Sequence, residues 1–205
     1  MKRLLDGIGQ NSPEEYDRIF KVRQERGVDS QDLRRWKLLL KKFKGGIILD
    51  AGCLDSLVPV MALKKPRTVA WGIDTSKTAI QEMQNKYPQV KYMVKNVYDT
   101  QFPDGYFDYI VAGELIEHLE SPERFFKEAM RILAKDGTLA ISTPLEEEKE
   151  FGAVDAHRHI WSVSVENITK MLKVYGKIQI RIIGSEFFPK YKYHWKSIIA
   201  FVTKK

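Results

Sequence analysis

Several functions are excluded by what the chain lacks. Of its 205 residues one is cysteine, Cys53. That rules out an internal disulfide framework and any zinc site built on paired cysteines. No apolar run approaches the roughly 18 residues a membrane-spanning helix needs. The opening Met1-Lys2-Arg3-Leu4-Leu5-Asp6-Gly7 turns polar too soon for a secretory signal. There is no Gly-x-Ser-x-Gly elbow, no phosphate-loop motif, no internal repeat and no low-complexity segment. What is present is 43% apolar and 30% charged, enough to bury the core of one ordinary domain. The expectation is a soluble, cytoplasmic protein with no membrane span.

Charge is unevenly placed. Residues 1–44 carry 12 Lys/Arg against 7 Asp/Glu, residues 45–150 carry 12 against 17, and residues 151–205 carry 10 against 3. Basic ends flank an acidic middle. Such ends suit an anionic substrate, nucleic acid or a membrane surface, and equally a solvated lysine-rich surface. Aromatic and basic residues interleave over 187–195, from Phe187 through Tyr191 to Trp195.

Ser12-Pro13-Glu14-Glu15 reads as a helix start running to about Arg26, with Gly27 ending it. Ser30 starts a second helix, in which Leu33, Trp36, Leu39, Leu40 and Phe43 recur at helical spacing. From residue 47 to 143, short apolar runs alternate with helical patterns. Strands are expected near 47–49, 68–73, 90–94, 107–112 and 137–142, with helices near 58–64, 76–86 and 121–133. That alternation signals a parallel sheet covered by helices on both faces. A loop over 144–162, a helix over 164–175 and strands near 177–183 and 195–202 complete the chain.

Ligands of open parallel sheets bind at the carboxyl ends of strands, where the strand order reverses. The first such turn is Asp50-Ala51-Gly52-Cys53-Leu54-Asp55-Ser56. The second strand ends in Gly72-Ile73-Asp74, 24 residues after Asp50. A carboxylate there can accept both ribose hydroxyls of a nucleoside. The third strand leads to Asn96, whose amide can read an adenine edge. Taken singly, Asp50 and Asp74 also read as helix caps. Their succession at two strand ends favours a ligand site.

With these residues the chain resembles the class I S-adenosylmethionine-dependent methyltransferases, among them the ubiquinone-type O-methyltransferases. The likeness covers about 45–145. It rests on Ile48-Leu49-Asp50-Ala51-Gly52-Cys53, Gly72-Ile73-Asp74, Phe102-Pro103-Asp104-Gly105-Tyr106-Phe107-Asp108, Glu114-Leu115-Ile116-Glu117-His118-Leu119 and Asp136-Gly137-Thr138-Leu139. The resemblance implies an α/β, Rossmann-like sheet of seven strands, mostly parallel with the last antiparallel. It also implies a helical cap over 1–44 acting as a lid on a methyltransferase domain over 45–205. S-adenosylmethionine would lie against Asp50, Ala51, Gly52, Cys53, Asp74, Thr75, Asn96, Val97 and Glu114, with Arg34 or Arg35 at its carboxylate, and S-adenosylhomocysteine would be the product. Two departures stand out. Asn96 replaces the family's usual aspartate, and Leu54 and Ser56 replace the second and third glycines of the family's first turn. A leucine there must hold a conventional backbone angle or be strained by about 1–3 kcal/mol.

Glu114, Glu117 and His118 follow the fourth strand. On a helix, residues three and four apart share a face, so the three would point into one cleft. Two carboxylates beside an imidazole suit a general base or a hard divalent metal. Similar segments occur in ubiquinone-type O-methyltransferases and in small-RNA 2′-O-methyltransferases, where two glutamates and two histidines hold magnesium or manganese. His157, in His157-Arg158-His159-Ile160-Trp161-Ser162, matches the further histidine of that second branch. The (Asn/Asp)-Pro-Pro-(Tyr/Phe) motif of base amino-group methyltransferases is absent, as is a catalytic Pro-Cys. The leading expectation is O-methylation of a small hydroxylated acceptor, with His118, Glu117, Glu114 and His157 as catalytic candidates. The alternatives are a metal-assisted RNA 2′-O-methyltransferase and a non-catalytic cofactor-binding module. Oligomeric state is open.

Overall fold

Two helices precede the sheet, each opened by a side chain that accepts from the first free N–H groups. In α1 (Pro13–Arg26) Ser12 caps the N–H of Glu15, and Gly27 closes the far end at φ 74°. In α2 (Ser30–Leu39) Asp29 accepts from Gln31 and Asp32. The computed structural model describes residues 2–3, 11–145, 159–188 and 193–205. One 3-10 turn (Leu40–Lys42) ends α2 before the chain enters the sheet.

The strands are β2 (Gly46–Ala51), β3 (Thr68–Asp74), β4 (Lys91–Val94), β5 (Phe107–Gly113), β6 (Leu133–Pro144), β8 (Gly176–Phe188) and β9 (Tyr193–Lys204). Their order across the sheet is β4-β3-β2-β5-β6-β9-β8. β9 is antiparallel to both neighbours, and every other pairing is parallel, as expected from the sequence. Strand order reverses between β2 and β5, which places a crevice above their carboxyl ends. A two-residue pair, β1 (Lys2–Arg3) with β7 (Trp161–Ser162), forms a second small sheet that no pattern in the sequence announced.

α3 (Val58–Ala62), α4 (Lys77–Lys86), α5 (Pro122–Ile132) and α6 (Val165–Leu172) fill the connections. Each sheet face is packed. One core holds Leu49, Ile73, Ile110, Ile141, Ile198 and Val202 with Phe125 and Ile168 of α5 and α6. The other holds Ile48, Val111, Ile199 and Phe201 with Phe20, Trp36 and Leu39 of α1 and α2. Side chains therefore alternate between two buried faces, which is why the strands read as continuous apolar runs. β6 starts four residues before the expected Gly137, and β8 and β9 outrun their apolar runs. Exposed charges at Lys135 and Asp136 hide the early start of β6 from a hydrophobic pattern.

Candidate functional site

The turn after β2 shows how the chain does without two glycines. Gly52 has φ 71°, and a Cβ there would sit 2.7 Å from Leu115 Cδ1. Glycine is required at this position on both counts. The N–H groups of Gly52 and Cys53 donate to the Ile73 carbonyl at 2.9 and 3.0 Å, tying the turn to β3. Leu54 takes the strained alternative, with φ 39°. Its N–H donates to Asp74 Oδ2 at 3.0 Å, which helps offset the strain. Ser56, in the third glycine position, hydrogen-bonds the Asp50 carboxyl.

Asp50, Ala51, Cys53 and Asp74 are buried, and Thr75 is half-buried. Asp74 Oδ1 accepts from the Ser76 N–H at 2.9 Å. Backbone donors from Leu54, Ser76 and Thr75 thus hold its two oxygens. Burial raises the Asp74 carboxyl above its usual range despite those bonds. Asp17 of α1 accepts from the Ser76 hydroxyl and from the Thr78 N–H, so α1 leans on the start of α4. Asn96 is exposed, and its Oδ1 accepts from the Tyr98 N–H at 2.9 Å; Val97 beside it is buried.

Among the described residues, three carboxylate oxygens at the strand ends are buried without a hydrogen-bond partner: Asp50 Oδ2, Glu114 Oε1 and Glu117 Oε1. Burial pushes Asp50 up to about 7, with the Asp74 charge adding to the effect and Ser56 opposing it. Glu117 lies well above the usual carboxylate range, first through burial and then through the Glu114 charge. Such orphaned acceptors are costly in a folded protein unless a ligand satisfies them.

The Glu114–His118 segment is not the α-helix expected. Glu114 has φ 51°, and Ile116–His118 make one 3-10 turn. The left-handed angle at Glu114 interrupts a helix there, and Ser121 caps α5 only three residues after His118. The turn nevertheless gathers the chemistry. Thr143 Oγ1 donates to Glu117 Oε2 at 3.0 Å. His118 Nε2 is 3.9 Å from Glu117 Oε1. The His118 and His159 rings meet edge to face with centroids 4.9 Å apart. One ligand atom from each of Glu117, His118 and His159 lies within 4.8 Å of the others. His157, the histidine singled out from the sequence, lies outside the described residues, as do most of the 144–162 loop and residues 189–192 of the aromatic stretch.

Of the two arginines on α2, Arg34 is exposed and Arg35 faces inward. Arg35 stands three residues after buried Asp32 and four before buried Leu39, so it shares the inner face. It pairs with Asp32, and its Nε is 3.9 Å from Glu114 Oε1. Arg23 of α1 bridges Asp55 of the β2 turn at 2.8 Å and Asp32 of α2 at 3.1 Å. This chain of charges runs from the first turn to Glu114. Apart from the Asp32–Arg35 pair on one helix, its links cross between elements, and no local pattern marks them.

Residues 49–141 match a family model described as a methyltransferase domain. A Mycobacterium tuberculosis protein named "Probable S-adenosylmethionine-dependent methyltransferase Rv3030" is 33% identical over 98 residues, 47% of this chain and 35% of that protein. The ubiquinone biosynthesis O-methyltransferase of Coxiella burnetii is 30% identical over 104 residues, 49% of this chain and 44% of that enzyme. The matched stretch thus spans less than half the length of these curated relatives. Phosphoethanolamine N-methyltransferase 2 of Haemonchus contortus, solved in complex with S-adenosyl-L-methionine, superposes with a TM-score of 0.71 at 14% identity, covering 98% of this chain and 61% of that one. Residues 49–141 thus match a methyltransferase domain, and the fold of the chain resembles that of the solved Haemonchus contortus enzyme.

Proposed function

We propose that the protein transfers a methyl group from S-adenosylmethionine to an oxygen of a small hydroxylated acceptor. The observation that carries the cofactor assignment is the set of orphaned oxygens. Asp50 Oδ2 and Glu114 Oε1 are buried at the ends of β2 and β5, on either side of the strand-order reversal. They call for a donor bearing positive charge. S-adenosylmethionine has a sulfonium and an ammonium, and when bound it supplies an electrophilic methyl group. Asp74 would accept a ribose hydroxyl, Asn96 and Val97 would flank the adenine, and Arg35 would meet the carboxylate.

Proton removal falls to His118. Its imidazole takes the acceptor's hydroxyl proton as the new carbon–oxygen bond forms, and Glu117 beside it stabilises the imidazolium. Thr143 fixes the Glu117 carboxyl. Such a base contributes typically about 10²–10⁴ in rate. His118→Ala should therefore lower kcat by about 10²-fold or more while leaving S-adenosylhomocysteine affinity nearly unchanged. Full activity in that variant would remove the histidine from the mechanism.

A second reading has its own observation, the convergence of Glu117, His118 and His159. Those groups suit a divalent metal that polarises the acceptor hydroxyl. With the basic chain ends it favours an RNA 2′-hydroxyl acceptor. It predicts activity that chelator abolishes and Mn²⁺ or Mg²⁺ restores, and that His159→Ala loses. If the parent protein transfers no methyl group to any acceptor, with or without metal, the fold serves as a non-catalytic cofactor-binding module.

A further inference from the structure

Beside the end of α2 and along the edge strand β8, positive charge gathers on one face of the sheet. Lys42 closes the 3-10 turn just before β2, and Lys177 stands near the start of β8, so both lie at the amino-terminal ends of the parallel strands. The register of β8 on β9 sets Lys177 opposite Thr203, Gln179 opposite Phe201 and Arg181 opposite Ile199. Ile199 and Phe201 face the core formed with α1 and α2. Lys177, Gln179 and Arg181 share that face, but at the sheet edge they are exposed. Lys42 reaches over the same face, with its Nζ 4.7 Å from the centre of the Phe201 ring.

Among the described residues, none of Lys42, Lys177 and Arg181 is paired with a carboxylate. Lys37, Lys41 and Lys44, on and just beyond α2, are exposed. The one acid on this element, Asp32, is buried and held by Arg23 and Arg35. Partial burial and the charges of Lys177 and Arg181 hold the Lys42 ammonium below its ordinary range. An anion between the three would relieve that repulsion. The apolar side chains of the element, Trp36, Leu39, Leu40 and Phe43, are in the core. A membrane-surface helix instead presents apolar residues beside its cations.

We infer that this face, centred on Lys42, Lys177 and Arg181, binds the phosphodiester backbone of a single-stranded nucleic acid. The inference stands on the surface charge and does not rest on the methyl-transfer reading. Contacts to phosphate release counterions, so affinity falls with salt at a log–log slope of about 0.7 per phosphate neutralised on single strands.

The test is fluorescence anisotropy of the full chain with a labelled twelve-nucleotide RNA, and with DNA of the same sequence, from 50 to 300 mM KCl. Replacing all three cations, Lys42→Gln, Lys177→Gln and Arg181→Gln, should weaken binding at least tenfold at 100 mM salt and flatten the slope by about two. The exposed pair Lys177→Gln, Arg181→Gln should flatten it by about 1.4 and guards against loss of the Lys42–Phe201 contact in the triple variant. Equal binding of both strands assigns the face to the backbone alone, and a preference for RNA adds contacts to its 2′-hydroxyls. The inference is overturned if neither strand binds at 50 mM salt, if the variants bind like the parent, or if phosphatidylserine vesicles bind where the oligonucleotides do not. S-adenosylhomocysteine affinity, measured on the same samples, reports separately on the cofactor site.

Discussion

Asp50→Asn tests the orphaned-carboxylate argument through folding alone, with no ligand present. In the folded protein burial raises the Asp50 carboxyl from an ordinary 3.8 to about 7. A carboxyl whose folded pKa is raised contributes its full stability below the unfolded value. It loses that contribution as pH climbs toward the folded value. The window here is about pH 4 to 7. The cost of keeping this proton, or of ionising in place, is about 1.5 kcal/mol at pH 5 and about 4 kcal/mol at pH 8. Asparagine bears no charge in either state and keeps an oxygen for Ser56. Its buried amide N–H groups bring a fixed penalty of about 1–3 kcal/mol, but that penalty does not change with pH. The quantity to measure is therefore a difference of differences. Urea unfolding followed by tryptophan fluorescence, at pH 5 and at pH 8, should show Asp50→Asn gaining about 2.5 kcal/mol on the parent between the two pH values. Glu117 and Asp74 titrate in both proteins and largely cancel. A gain below about 0.5 kcal/mol would mean that Asp50 ionises freely and that the pocket makes no demand for a cation.

Two further substitutions probe the architecture of the site. Gly52→Ala must hold φ 71° and push Leu115 away from 2.7 Å. A loss of about 1–3 kcal/mol in urea unfolding is expected, together with weaker cofactor binding, and an unchanged midpoint would contradict the geometry of the turn. Arg23→Ala strands buried Asp55 and leaves buried Asp32 with Arg35 alone. It should cost about 3 kcal/mol in the same assay, and Arg23→Lys should recover only part of this because the two-carboxylate bridge needs the guanidinium fork.

Much of this site was legible because its signals are local. Asp50, Gly52 and Asp74 sit where apolar runs end, and the capping residues Ser12 and Ser76 mark helix starts that the structure keeps. Where reading failed, the cause was tertiary. Glu114 looked helical by spacing, but its left-handed backbone angle breaks the helix and Ser121 already caps α5. Arg34 and Arg35 look alike in sequence, and only the packing of Asp32 and Leu39 decides which faces inward. His159 draws its place beside His118 from a bond between the Ile160 N–H and the Glu117 carbonyl, 43 residues apart, at 2.7 Å. The strain at Leu54 was foreseen as one of two outcomes. Its compensation by Asp74 depends on β3 lying beside β2.

The most direct test of the account is a calorimetric titration of the protein with S-adenosylhomocysteine at pH 7.5, run in parallel on Asp50→Asn. The product retains the ammonium that the buried carboxylates call for. The account predicts one site with micromolar affinity in the parent and binding weakened at least tenfold in the variant. No heat in the parent at millimolar ligand, or equal affinity in both proteins, would contradict it.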